Sequence, residues 1–217
     1  MPQYNEEIDE FTVEMRSAIE NALKEPEIMT RLKTRRYNET RMKGGVDVCA
    51  DLEQKHLTQK QEYADKFAAT TTVRDLFRRL RRVFGELYDY GRRAFEADGD
   101  TYTRLGLQGA RQNSQIGYLA QARQFVTAAL ESPKAQEGLD YYGIDTTYLK
   151  EAKNLTKEME DALRDRMKEA SEAEEATRIR DEAYDQARTW HRNFLTVADH
   201  VLDDVPQLKE QVGIQVP

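Results

Sequence analysis

Apolar residues along this chain recur at steps of three and four, and no stretch alternates with a period of two long enough to make a half-buried strand. Between residues 8 and 23, Ile8, Phe11, Met15, Ala18, Ile19, Ala22 and Leu23 form one stripe, with Glu10, Glu14, Arg16, Glu20 and Lys24 on the other side. That is an amphipathic helix, and Pro26 marks its end. A stronger seam runs through Val73, Leu76, Phe77, Leu80, Val83, Phe84, Leu87, Tyr88, Gly91, Ala94 and Phe95, and stops at the turn signal Asp98-Gly99-Asp100. Leu119, Ala122, Phe125, Val126, Ala129 and Leu130 repeat the pattern up to Pro133. Asp145 or Thr146 is placed to cap a helix bearing Leu149, Ala152, Leu155, Met159, Ala162, Leu163 and Met167. A last stripe, from Ile179 through Ala183, Ala187, Trp190, Phe194, Val197, Ala198 and Val201 to Leu202, ends at Asp203-Asp204 and Pro206. The expected fold class is all-α.

Sliding the chain along itself by 107 residues brings Leu23 onto Leu130, Pro26 onto Pro133, Leu32 onto Leu139, Ala69-Thr70 onto Ala176-Thr177 and Gly106 onto Gly213. The stripes register too: Phe77, Val83, Leu87, Gly91 and Phe95 fall on Tyr184, Trp190, Phe194, Ala198 and Leu202. Proline and glycine have no helical period, so shared periodicity alone does not align them. The expectation is one helical domain, residues 1–217, internally duplicated as units 1–107 and 108–217. Two copies are too few for a self-stabilising stacked array, so they should bury a shared core as an elongated pseudo-symmetric bundle.

Each unit then reads as a short helix (8–24), a less regular connector (27–45, with twin 134–152) and a long helical stretch (46–97, with twin 153–204). The connector twin carries Tyr141, Tyr142 and Ile144, which look like plugs for one end of the core. A break is conceivable at Ala68–Thr72, where three threonines are poor helix formers and Thr72-Val73-Arg74-Asp75 fits a capping box. The twin stretch Glu169–Ala176 is excellent helix former, which favours two long antiparallel helices side by side.

The C-terminal run Trp190-His191-Arg192-Asn193-Phe194-Leu195, then Asp203-Asp204-Val205-Pro206-Gln207-Leu208, then Val212-Gly213-Ile214, resembles the ending of a group of uncharacterised bacterial helical proteins with a D-x-P-Q-L…L-G-I tail. Ala176-Thr177 shares the resemblance, which covers residues 176–214 well and the earlier half weakly. Asp100-Thr101-Tyr102 departs from it in the first copy. The resemblance implies a bacterial helical protein and carries no activity. Physically, Pro206 should start a helical turn, Leu208 and Val212 pack back, and Gly213 reverse the chain.

Composition narrows the chemistry. Charged residues are 34% of the chain, hydrophobic ones 39%, and the mean hydropathy is -0.85, polar for a globule yet too rich in Leu, Tyr and Phe for simple disorder. No run of about 18 apolar residues suggests a membrane span, and the acidic N-terminus does not read as a secretory signal. Cys49 is the only cysteine, so there is no disulfide framework; it reads as a buried thiol rather than a nucleophile. Glu53-Gln54-Lys55-His56 is one E-x-x-H where a di-metal bundle needs two, and reads as a surface pair. His191 falls opposite the seam residue Phe84, so it should sit at the core margin with a hydrogen-bond partner; His200 should face solvent. No phosphate loop or spaced Ser/His/Asp set occurs. The sequence thus assigns no catalytic residue, no metal ligand, no cofactor and no small-molecule substrate.

Two basic clusters remain, Arg31 to Lys43 and Arg74 to Arg82. Arg74, Arg78, Arg81 and Arg82 share a helical face away from the seam and are the candidate partner-binding residues. Their nearest match within the chain is the acidic set Glu169, Glu172, Glu174, Glu175 and Asp181. The net charge of -7 argues against a dedicated nucleic-acid binder. The leading expectation is a cytoplasmic, non-enzymatic helical scaffold or protein-interaction module, with a protein partner or a homo-oligomer and no membrane. Tyr4, Tyr37, Tyr102 and Tyr148 are candidate interface tyrosines. The rivals are a metal or cofactor enzyme around Glu53, His56 and His191, and an anionic-partner or nucleic-acid helper using the arginine face.

Overall fold

The computed structural model describes residues 2–216, with side chains from Glu7 onward. It is 83% helical, with no strand among the described residues. The described residues form eight helices in order: α1 (Pro2–Lys24), α2 (Pro26–Lys33), α3 (Glu39–Ala94), α4 (Gly99–Arg104), α5 (Gln115–Glu131), α6 (Pro133–Asp140), α7 (Thr146–Val201) and α8 (Pro206–Gln211). The chain is an all-α bundle with long helices packed against each other.

Local chemistry sets the boundaries. Pro26, Pro133 and Pro206 each open a helix, where the missing N–H costs nothing. Ser114 Oγ accepts from Gly117 N at 3.1 Å and Ser132 Oγ from Ala135 N at 3.2 Å. Asn38 and Asp145 cap the long helices by accepting from Arg41 N (3.0 Å) and Tyr148 N (2.7 Å). The stretches expected as irregular connectors are largely helical, because α2 and α6 occupy their first turns. Each ends in a left-handed residue, Arg36 (φ 65°) and Gly143 (φ 76°), with Tyr37 N and Ile144 N donating back to Leu32 O and Leu139 O.

The break considered at Ala68–Thr72 does not form. The Thr70 and Thr72 hydroxyls donate to the carbonyls of Lys66 and Ala68, at 2.9 and 3.1 Å, so their polar groups are satisfied inside a continuous helix. The bounds of α2, α3 and α4 lie 107 residues before those of α6, α7 and α8, and α1 and α5 end at the same offset.

Packing divides the chain into two compact units that cut across its sequence halves. Unit one comprises the chain up to Tyr63 together with Glu172 onward; unit two is Ala64–Ser171. In unit one, α1, α2, α8, the start of α3 and the end of α7 enclose Ile8, Met15, Ile19, Leu32, Met42, Leu52, Phe194 and Leu202. A β-carbon added to Gly45 of α3 would overlap the Trp190 indole of α7, so the bare backbone there seats the ring. In unit two, the end of α3 and the start of α7 run antiparallel: Arg79 meets Glu158 at 3.6 Å and, seven residues on, Glu86 meets Tyr148 at 2.8 Å. Around them Leu80, Phe84, Leu87, Phe125, Leu139, Leu149 and Met159 close a core. Burying one such side chain contributes about 1.5–3 kcal/mol.

The core-end residues sort differently from expectation. Ile144 is buried and Tyr142 stacks on Tyr90 at 5.1 Å, but Tyr141 points outward at 85% exposure, because the turn after α6 leaves it outside. In the tail, Leu208 and Val212 are buried and Gly213 has φ 84°.

Candidate functional site

The arginine face lies in unit two, on the continuous run of α3. Steps of four, three and one place Arg74, Arg78, Arg81 and Arg82 on one side, and all four are exposed. Arg74 and Arg78 share Asp75, at 3.8 and 3.2 Å, in pairs so exposed that each contributes about 1 kcal/mol or less. The Arg81 guanidinium sits 6.0 Å from the Phe77 ring centre. Arg82 and Arg79 edge a small cleft of about 140 Å³ with Tyr148 and Glu151. Burial and Glu86 push the Tyr148 hydroxyl up to about 12. Three of the five acidic residues expected to balance this face pair elsewhere: Glu175 with Arg178, Asp181 with Arg180 and Glu169 with Lys168. These are neighbours in sequence, which pair at little entropic cost.

The tyrosines expected at an interface are less available than their polarity suggests. Tyr37 is buried against Trp190 and Phe194, with ring centres at 6.3 and 6.1 Å. Tyr102 and Tyr148 are half-buried, and the Tyr4 side chain lies outside the described residues.

All three histidines belong to unit one. His56 is not a surface residue: it is 3% exposed, with Nε2 3.2 Å from Asp9 Oδ1 but off the line of a hydrogen bond. Burial, then the Lys60 charge, pulls its pKa below the ordinary value of 6.5, against the opposing pull of Asp9. Glu53, one turn earlier, faces Arg16 instead. Gln59 and Arg180 are buried beside this histidine's turn and across from it, and Arg180 binds Asp181 at 2.7 Å. The sequence reading missed Arg180, although its 107-offset counterpart, Val73, is a seam position and gave the signal. Cys49 is a buried thiol whose Sγ lies 3.6 Å from Thr12 O, and burial raises its pKa. His200 is exposed, with Nδ1 on Thr196 O at 2.9 Å.

His191 sits at the core margin, edge-on to Phe11 at 5.5 Å, but its buried Nε2 has no hydrogen-bond partner among the described residues, contrary to expectation. The apolar Phe11 ring is what faces it. Burial lowers its pKa, with Glu14 opposing. It lines an open groove of about 650 Å³ along the end of α7, with Phe11 of α1 on the far wall and Arg188 and Arg192 on successive turns. The Arg188 guanidinium rests 5.5 Å from the Tyr184 ring centre. Glu53, His56 and His191 thus face Arg16, Asp9 and Phe11 respectively, three different neighbours rather than one shared point.

No family model matches this chain. No curated protein and no solved structure matches it either. Among the described residues, no helix is long and apolar enough to cross a membrane.

Proposed function

We propose that this chain is a non-enzymatic helical interaction module: an internally duplicated, bacterial, cytoplasmic scaffold that engages a protein partner through charge. The observation that supports it is the exposed arginine face of α3, where Arg74, Arg78, Arg81 and Arg82 stand on one unbroken helix and Arg74 and Arg78 share the single carboxylate of Asp75. A rigid helix holds these cations at fixed spacing, so a partner bearing carboxylates meets a preorganised row. Duplication of one helical unit gives two frames on which different surfaces can diverge.

Fluorescence anisotropy with a labelled oligoglutamate of about ten residues tests the reading at about 0.05 and 0.2 M salt. Binding should weaken with salt and vanish in the variant Arg78→Glu/Arg81→Glu/Arg82→Glu. Binding that the triple variant leaves intact, or no binding at low salt, overturns it.

A further inference from the structure

The two units fill the same interhelical site in different ways. In unit one, the Trp190 indole of α7 lies against the bare backbone of Gly45 in α3, where an added β-carbon would overlap the six-membered ring. The indole stacks on Phe194 at 5.5 Å and meets Tyr37 at 6.3 Å. The positions offset by 107 in unit two hold Val83 for Trp190, Ala152 for Gly45, Leu87 for Phe194 and Ile144 for Tyr37. Each aromatic ring of this set gives way to a smaller aliphatic side chain, and the one addition is the methyl group of Ala152.

The helices do not close over the difference. Between the later half of α3 and the start of α7 a cleft of about 140 Å³ remains, and Val83, Ala152 and Leu155 all line it. Ala152 and Leu155 are buried and Val83 is half-buried, so the cleft is apolar at depth. An apolar cavity of about 150 Å³ admits one benzene-sized ring, and such a ring is the part of the indole that Gly45 seats in unit one. The rim is cationic: Arg79 and Arg82 edge it against Glu151, while the counterparts of these arginines in unit one are Gln186 and Thr189. Arg82 also belongs to the arginine face, so face and cleft are continuous. Arg79 meets Glu158 at 3.6 Å in an exposed pair, which yields readily to another carboxylate. All of these lining residues lie within Ala64–Ser171, where every residue is described.

We propose that this cleft receives one aromatic side chain of a partner protein, from a segment that carries carboxylates beside that ring. The ring takes the place that the six-membered ring of Trp190 takes in unit one, and the flanking carboxylates meet Arg82 and Arg79. The inference rests on the reading of the chain as an interaction module and deepens it: the arginine row attracts an acidic segment, and the cleft selects the residue that docks.

Three labelled peptides of about ten residues test it on the full-length protein by fluorescence anisotropy at low salt, all glutamate except for one central tryptophan, leucine or serine. The tryptophan peptide should bind about tenfold tighter than the serine peptide or better, a ratio equivalent to ~1.4 kcal/mol, with leucine between them. In methyl NMR spectra, shifts specific to the tryptophan peptide should cluster at Val83, Ala152 and Leu155. The variant Val83→Trp/Ala152→Gly writes unit one's residues into the cleft. It should bring the tryptophan peptide down to the affinity of the serine peptide, with an unchanged circular dichroism spectrum. Equal binding by all three peptides overturns the cleft and leaves the arginine-face reading standing. Leucine binding as tightly as tryptophan overturns the ring as occupant. Binding by none of them overturns both readings. A tryptophan preference that the filled variant keeps also overturns the proposal, as do, should that variant not fold, tryptophan-specific shifts that avoid the three methyl-bearing residues. So does a concentration-dependent dimer that the filled variant abolishes, which names a second copy, with exposed Tyr141 beside Asp140, as occupant.

Discussion

Units one and two are built from matching helices and both close an apolar core, yet unit one buries a histidine, a glutamine and an arginine where unit two buries only threonines among its polar residues. Unit one buries Thr12, His56, Gln59 and Arg180; the positions offset by 107 in unit two hold Leu119, Leu163, Arg166 and Val73. All three histidines are in unit one. So is most of the charge imbalance: unit one has 15 Lys and Arg against 23 Asp and Glu, net -8, and unit two has 18 against 17, net +1. The sequence halves hide this contrast, because each unit takes part of both: they carry 19 against 20 and 14 against 20. The lesson is that a helical frame fixes where a side chain points but not what it must be. An apolar interior is stabilised by dispersion and water release, while a polar one holds only if each group finds a partner. Unit one falls short at His56 Nδ1, Gln59 Oε1 and His191 Nε2, which have no hydrogen-bond partner among the described residues.

The contrast can be broken most sharply at Gly45. Its counterpart in unit two is Ala152, which packs without difficulty. Gly45→Ala drives a methyl into the Trp190 indole and should destabilise by about 1–3 kcal/mol despite the better helix propensity. Ala152→Gly should cost about 1 kcal/mol, mainly through propensity. Urea denaturation of both variants measures the difference, and equal losses would refute it.

Next comes the buried histidine. His56→Leu writes unit two's solution into unit one. Removing a buried imidazole without a hydrogen bond should stabilise by about 1 kcal/mol, since an unsatisfied buried polar group costs at least that. The readout is the urea midpoint at neutral pH, where a lower midpoint in the variant would contradict the prediction.

A gentler probe is pH. His56 and His191 both have pKa values lowered in the fold, so the unfolded chain takes up protons first. Their contribution is present above about pH 6.5 and is lost as pH falls through the folded values. The carboxylates respond later. Asp98, held down to about 2 by Lys134 and Thr101, and Asp9, lowered by Lys60, lose their contribution only as pH falls from about 4 downward. Amide hydrogen exchange should therefore show unit one loosening as pH falls below about 6.5, before the carboxylates respond, while unit two, with no histidine, holds. Loosening of both units together in that window would count against the assignment.

The smallest effect should come from the turn after α2. Arg36 occupies a left-handed conformation that Gly143 fills in the matching turn. Arg36→Gly relieves that cost while raising the entropy of the unfolded chain, for a net gain of about 1 kcal/mol or less. Thermal melts of the variant should show a small upward shift, and a fall would mean the Arg36 side chain contributes more than its backbone costs.

Much of this architecture was legible in the chain alone because its causes are local. The steps of three and four predicted helices, Pro26 and Pro133 marked where α1 and α5 end, Pro206 opened α8, and Asp145 capped α7; that Pro26 and Pro133 also open helices of their own was not read. The seam from Val73 to Phe95 is buried or half-buried throughout. What failed was the balance of weak local preferences. Three threonines predicted a possible break, but the hydroxyls of two of them, Thr70 and Thr72, bond back into a continuous helix. His56 looked like a surface partner for Glu53 because one turn separates them; the structure sends Glu53 to Arg16 and buries His56 beside Asp9.

Helix positions, apolar faces and turn residues depend on neighbours within a few residues, and the sequence by itself determined them. Which half of each long helix joins which compact unit, and which of two equivalent positions carries a buried cation, depend on residues as far apart as Phe11 and His191. Only the tertiary structure decided those, because contacts across such separations leave no period in the chain to read.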